Sequence, residues 1–336
     1  MSGKSVNKFE YCSEKGMISV IVLSYNSGAY LTEAIDSVLK QDYPLIELII
    51  ADDGSKEFNE AVLREHIEKN KRSNIIKYAI IHREHNIGTV KNINQALSVS
   101  HGEYIKILGG DDTYPIPYTF SQQVNWIQNN NSLATVGKLQ QCDHTMVPIL
   151  DERVERSNSD LQKVLQMGYV EARRYIAKRD IFPIANQAVC YCRNFFIQKG
   201  FCDEEFILIE DISLSLKLLS ESARVSYMDT FTVNHRAKVG ISTSRELFAP
   251  RRLLYYKDCV TFAKKEIDSH PEIYGFIYRK ENLRISSFVY KVAKARAEGK
   301  SGLRLFGIGL QYLDTIIYYI VTNPKKLWKR LVDRFS

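Results

Sequence analysis

The 336-residue chain is poor in tryptophan, with two, and holds only six cysteines and eight prolines. No Pro-, Gly- or Ser-rich stretch divides it, and no repeat or low-complexity tract runs through it, which excludes a solenoid or a string of linked modules. The cysteines (Cys12, Cys142, Cys190, Cys192, Cys202 and Cys259) lack zinc-type paired spacing. The N-terminus is polar until Met17, without a secretory pattern, so reduced thiols in a cytosolic protein are expected. No apolar run makes a good transmembrane span. The best, Leu303 to Val321, is interrupted by Arg304, Gln311 and Asp314. A central Asp alone costs about 2.5–3.5 kcal/mol on insertion scales.

What is present suits one large core with an extension. The chain carries +7 overall, yet from Lys291 onward ten basic residues face only three acidic ones, Glu298, Asp314 and Asp333. That surplus equals the whole net charge, so the first 290 residues are neutral and the basicity belongs to the tail. Nucleic-acid binding by the core is therefore not expected.

Four apolar, β-branched runs alternate with amphipathic patterns. MISVIVLSYN from Met17, LIELIIADDGS from Leu45, IIKYAIIH from Ile75 and GEYIKILGGDD from Gly102 read as buried strands. Helical spacing lies between them: Leu31, Ile35, Val38 and Leu39; then about Glu57 to Asn70; then from His85, with Val90, Ile93 and Leu97 inward. This alternation predicts an α/β fold, a mainly parallel sheet flanked by helices. Residues 113–185 read as helix, strand, irregular segment and helix. The stretch from Phe182 reads as loop, short strand and short helix, and Glu210-Asp211 opens a further helix. Strands are expected around Arg224–Met228 and Thr230–Asn234, with helices from Glu246 onward.

In such sheets ligands bind beyond the carboxyl ends of the strands. Ser24-Tyr25-Asn26, Asp52-Asp53 and Asp111-Asp112 all stand there. Two adjacent carboxylates after Gly109-Gly110 offer oxygen ligands to a hard divalent cation, with room for a bulky ligand. The same four residues are equally good turn composition.

Taken in order, VIVLSYN, ADDGS, HNIGTVKN, GEYIKILGGDD and GFCDEEFILIED resemble the inverting, metal-dependent glycosyltransferases of family 2, which have the GT-A fold. The resemblance covers about residues 17–245. It implies three segments: a polar 1–16; a catalytic domain 17–245, with a nucleotide-sugar half 17–112 and an acceptor half 113–245; and a helical, basic extension 246–336. It implies a UDP-sugar donor, a Mn2+ or Mg2+ ion, and transfer with inversion. Asp53 then meets the uracil N–H, alongside Ser24, Tyr25 and Asn26; Tyr25 is as readily a plain strand-end tyrosine. Asp111 and Asp112 match the DxD-type element, with Asp112 the direct metal ligand and Gly109 where the family often has an acid. Lys91 stands where an arginine is common and faces the anionic donor, or is a solvated helix lysine. Asp211 is the expected general base and Glu210 an acceptor-side neighbour. By residue type alone Asp211 also suits a helix N-cap. His235 is expected as a third metal ligand or diphosphate donor, and Arg236 on the leaving diphosphate, with Ser242 and Ser244 near the phosphates.

The tail implies more. Leu303, Phe306, Leu310, Leu313, Ile317 and Ile320 recur at helical spacing, and KKLWKRLVDRF follows from Lys325. An interfacial helix on an anionic membrane is expected, at the cytoplasmic face of the cell membrane. That suits a glycan or lipid-linked oligosaccharide acceptor in O-antigen- or capsule-like polysaccharide synthesis; a helix packed on the catalytic domain or a second copy is the competing reading. The family's processive synthases carry a QxxRW-type element; its absence implies addition of single sugars. Two other readings use a similar sheet. A nucleotidyltransferase would need a Gly-rich basic loop after the first strand, and SYNSGAY is a poor one. An inactive binding or scaffold protein would keep the fold without the chemistry.

Overall fold

The computed structural model describes residues 9, 13–179, 181, 184–237, 250–300, 302–314 and 317. The chain divides into two compact units, Met1–Thr243 and Ser244–Ser336.

The first unit is built on seven strands: β1 (Glu14–Ser24), β2 (Ile46–Asp52), β3 (Ile75–His82), β4 (Gly102–Gly109), β5 (Ala134–Cys142), β6 (Val189–Cys192) and β7 (Val225–Arg236). They form one sheet in the order β3-β2-β1-β4-β6-β5-β7. β6 runs antiparallel to both neighbours; the other pairings are parallel. The helices are α1 (Ala29–Leu39), α2 (Glu60–Asn70), α3 (Thr89–Val99), α4 (Thr119–Asn130), α5 (Glu152–Gln166), α6 (Tyr169–Arg179), α7 (Arg193–Lys199) and α8 (Glu210–Leu219). Every residue of β2 is buried, as a strand covered on both faces must be. Ile18, Val20 and Val22 of β1 join Ile35 and Val38 of α1 in the main core.

Three expectations need adjusting. β1 starts three residues before Met17, because Glu14 N–H donates to the His101 carbonyl at 2.7 Å. The two strands expected near 224–234 are one strand. β5 pairs Val136 with Tyr227 but Lys138 with Phe231, so β7 bulges around Asp229 without ending. Residues 152–179 form two helices in place of one. The Asp151 carboxylate caps the first by accepting from Arg153 and Val154 N–H.

One core residue is out of character. Lys106 on β4 is fully buried, donates to Gln123 Oε1 at 2.7 Å and lies 4.9 Å from the centre of the Tyr114 ring. Burial brings its pKa down from 10.5 to about 8. Below pH 8 both folded and unfolded chains hold the proton. Between 8 and 10.5 the unfolded chain alone holds it, so stability rises with pH through that window. Relative to Lys106→Met, the wild-type chain should gain about 3 kcal/mol between about pH 7 and pH 10.5, read from urea unfolding at each end.

The second unit contains α9 (Pro250–Phe262), a π-helical turn Ala263–Asp268, α10 (Phe276–Ala297) and α11 (Gly302–Gln311). Among the described residues, no helix is long and apolar enough to cross a membrane.

Candidate active site

Strand register brings the motif residues to one edge. Ser24 pairs with Asp52, Asp52 with His82, and Leu23 with Gly109, so four strands end level. Beyond that edge the chain is held by its own polar groups. Asp53 N–H donates to the Ser24 carbonyl at 2.8 Å, and Gly110 N–H to Leu23 at 2.7 Å.

Asp52 and Asp53 have different tasks. Asp52 is fully buried and accepts from Ser55 N–H at 2.8 Å and Ser55 Oγ at 2.5 Å, with His82 Nδ1 at 2.8 Å. Ser55 Oγ in turn accepts from Asn26 N–H at 2.7 Å, which fixes Asn26 in its left-handed conformation (φ 53°). Asp52 is therefore a brace for the floor of the site. Asp53 turns the other way: Oδ1 accepts from Ile87 N–H at 2.8 Å and Oδ2 from Gly88 N–H at 3.0 Å. This clasps the loop 85–88 against the end of β2. Gly54, at φ +80°, permits the approach; a Cβ there would stand 2.8 Å from the His85 carbonyl carbon. Tyr25 is half-buried, while Asn26 and Lys91, in the first turn of α3, are exposed.

Gly109 explains the acid pair. A Cβ on it would lie 2.9 Å from Asp111 Oδ1 and 3.1 Å from Asp112 Oδ2. Both oxygens thus face one small space that only glycine leaves open. Burial first, and then the charge of Asp112, raise the Asp111 pKa to about 6. A divalent oxygen-seeking cation placed in that space would meet both oxygens. Asp111 and Asp112 fit such an ion, with the remaining positions left for phosphate or water. Among the described residues no group of three His, Cys, Asp or Glu side chains converges as a ligand set.

The end of β7 meets this pair directly. Thr113 and Asn234 exchange backbone hydrogen bonds of 3.1 and 2.8 Å. Asp112, 1% exposed, then takes His235 Nδ1 at 2.9 Å and Arg236 N–H at 3.1 Å on the same Oδ1. Burial opposes protonation of His235, but the charge and hydrogen bond of Asp112 and the charge of Asp111 carry its pKa up to about 9. His235, expected as a third metal ligand, is thus turned by Nδ1 to Asp112 as its hydrogen-bond partner.

Arg236 corrects the sequence reading more sharply. Expected on the donor diphosphate, its side chain is fully buried and spent on protein. Nε donates to the Asp111 carbonyl at 2.9 Å, Nη1 to the His144 carbonyl, and Nη2 pairs with Glu33 at 2.5 Å. Its guanidinium stacks 4.1 Å from the centre of the Tyr30 ring. It anchors the acid pair from behind. Glu33 and Tyr30, both on α1, are parts of this anchor that no motif announces. Ser242 and Ser244 lie outside the described residues.

Asp211 stands on a separate support. The segment before it is tied to α3: Val90 N–H donates to the Ile207 carbonyl at 3.1 Å, and Asn94 exchanges 2.9 Å bonds with the Cys202 backbone. Ile209 occupies the N-cap position of α8, so Asp211 is not the cap but the second helical residue. Its Oδ1 accepts from Ile212 N–H at 2.8 Å. The carboxylate is open to solvent, yet enough protein surrounds it to raise its pKa, against the pull of the Ile212 and Asp211 N–H groups. An accessible carboxylate with a raised pKa can take up a proton. Glu210, beside it, is half-buried.

Comparison with known proteins places the chain in a family. The profile of glycosyl transferase family 2 matches residues 19–196. Glycosyltransferase GlyG of Streptococcus pneumoniae is 36% identical over 96 residues, covering 29% of this chain and 30% of that protein. An uncharacterised glycosyltransferase of Methanocaldococcus jannaschii is 24% identical over 230 residues, 66% of this chain and 71% of that one. S. aureus TarS 1-349, solved in complex with UDP, has a TM-score of 0.51 at 16% identity over 91% of this chain and 87% of that chain. Mannosyltransferase PcManGT from Pyrobaculum calidifontis, solved with GDP-Man and Mn2+, scores 0.54 at 18% identity over 93% and 82%. At these identities the solved structures speak for the fold, which is GT-A. The matched profile spans more than half of the chain, and the chain belongs to glycosyl transferase family 2.

Proposed function

We propose that this glycosyltransferase moves one sugar from a UDP-sugar to a hydroxyl of a glycan or lipid-linked oligosaccharide, with inversion and with the help of Mn2+ or Mg2+. The observation that carries the reading is the pair of carboxylate oxygens, Asp111 Oδ1 and Asp112 Oδ2, turned to one point beside Gly109. It lies at the same sheet edge as Asp53, whose oxygens already accept from Ile87 and Gly88 N–H and can each accept once more, from the N–H of a uracil ring. Tyr25 and Asn26 border that base, with Ser24 beneath. Lys91 offers a point charge to the diphosphate, without the fork that an arginine brings. A bound divalent cation would neutralise charge on the departing diphosphate.

Asp211 acts as the base. The acceptor oxygen attacks the anomeric carbon as the bond to UDP breaks, and the acceptor proton passes to Asp211. One displacement inverts the centre. The helix start at Glu210 keeps positive N–H groups near Asp211, and Glu210 borders the acceptor. The C-terminal unit is assigned to the anionic inner face of the cell membrane, where a lipid-linked acceptor in polysaccharide assembly would be found.

The test is a screen of UDP-glucose, UDP-galactose and their N-acetyl forms for Mn2+-dependent release of UDP. One or more donors should be hydrolysed slowly, and faster with acceptor. Silence with every donor in the presence of a lipid-linked acceptor would favour an inactive binding protein instead.

A further inference from the structure

In the second unit, Arg284, Ser287 and Lys291 lie one turn apart along one face of α10. Gln311 and Tyr312, at the end of α11, stand opposite. With Leu283 these residues line an open cleft of about 270 Å³. The Arg284 guanidinium is 5.5 Å and Lys291 Nζ 5.0 Å from the centre of the Tyr312 ring, so two cations bear on one aromatic floor. Phe288 packs on the same ring at 5.4 Å. Asp314 Oδ1 pairs with Arg284 Nη2 at 2.6 Å, between two largely exposed side chains, so the pairing is weak. Between Phe276 and Ile317 eight basic residues face three acidic ones.

A second observation lies beside the cleft. Leu303, Phe306, Leu310, Leu313 and Ile317 are spaced by three and four residues and are 49–85% exposed. They form an apolar stripe set apart from the packed side of α11. A stripe of this size beside a cationic cleft fits an interface with a charged outer layer and an apolar interior.

We propose that the cleft binds the phosphate of an anionic lipid headgroup while the stripe enters the acyl boundary. Arg284 and Lys291 donate to the phosphate oxygens, and Ser287 and Gln311 complete the ring of polar contacts. The phosphate displaces Asp314 from Arg284, because it accepts from both cations at once. This rests on the membrane assignment above and adds a defined lipid site to it.

The test uses full-length protein and sedimentation with phosphatidylcholine vesicles, with and without phosphatidylglycerol. Arg284→Gln/Lys291→Gln should lose about tenfold more affinity for the anionic vesicles than Lys280→Gln/Lys294→Gln, which removes equal charge outside the cleft. Asp314→Asn should bind more tightly than wild type. Circular dichroism checks that each variant is folded. Equal losses in the two double variants would overturn the cleft while keeping the membrane assignment. No vesicle binding by wild type would overturn both. Saturable binding of glycerol phosphate without vesicle binding would make this a soluble-phosphate site and overturn the lipid.

Discussion

Asp211→Asn should reduce transfer by about a thousandfold while leaving UDP binding intact and the protein more heat-stable. Both effects come from one carboxylate. Asparagine keeps the shape and an oxygen for Ile212 N–H, which Asp211 holds at 2.8 Å. It cannot take the acceptor proton. The stability gain follows from the direction of the pKa shift. The folded state raises the Asp211 pKa, so it binds a proton where the unfolded chain has released it. Above the folded pKa the ionised side chain costs stability, and a neutral amide removes that cost. The acid limb of the wild-type rate profile should for the same reason lie above the ordinary aspartate range. Turnover, calorimetric UDP binding and thermal melting on one preparation test all three parts. Near-wild-type turnover in the variant would remove Asp211 as the base.

The second large effect falls on Asp112, where the two obvious substitutions should behave differently. Asp112→Asn removes the charge from the cation pocket but keeps Oδ1 for Arg236 N–H, now 3.1 Å away. It should lose measurable Mn2+ binding and reduce transfer by about a thousandfold, with a modest fall in melting temperature because His235 loses its charge partner. Asp112→Ala also strands the buried Arg236 N–H and removes the hydrogen-bond partner of His235. That variant should melt earlier still, by about 1–3 kcal/mol of stability. Manganese calorimetry and unfolding curves separate the two losses. Unchanged Mn2+ affinity in Asp112→Asn would place the cation elsewhere.

The sequence made the strands legible because β2 is apolar between Glu47 and its terminal Asp52, β1 and β4 are largely so, and polar residues follow immediately after each run. Asp53 and the Asp111-Asp112 pair were visible for that reason. The role of Arg236 was hidden, since its partners Glu33, His144 and Tyr30 lie in other parts of the chain and carry no motif. A cation next to a diphosphate-binding loop and a cation buried behind it look alike in one dimension. Asp211 was ambiguous for a local reason. Whether it caps the helix or stands inside it depends on a shift of two residues, and Ile209 takes the cap. A break is expected at Asp229, between Met228 and Thr230, and the strand instead bulges there and continues.

The bonding of Asp112 also bears on how the protein comes to be active. Its partners His235 and Arg236 lie 123 and 124 residues further along, and Glu33, which holds Arg236, lies 203 residues before it. Contacts of that range close large loops and form late, because the entropy of closure must be met before they contribute. A chain that has left the ribosome only as far as Asp112 holds both acids, Tyr30 and Glu33, but neither His235 nor Arg236. The first four strands can align while the cation pocket is still unframed. Under the proposed function, competence of this chain is therefore set by the arrival of the seventh strand, not by the folding of the first four.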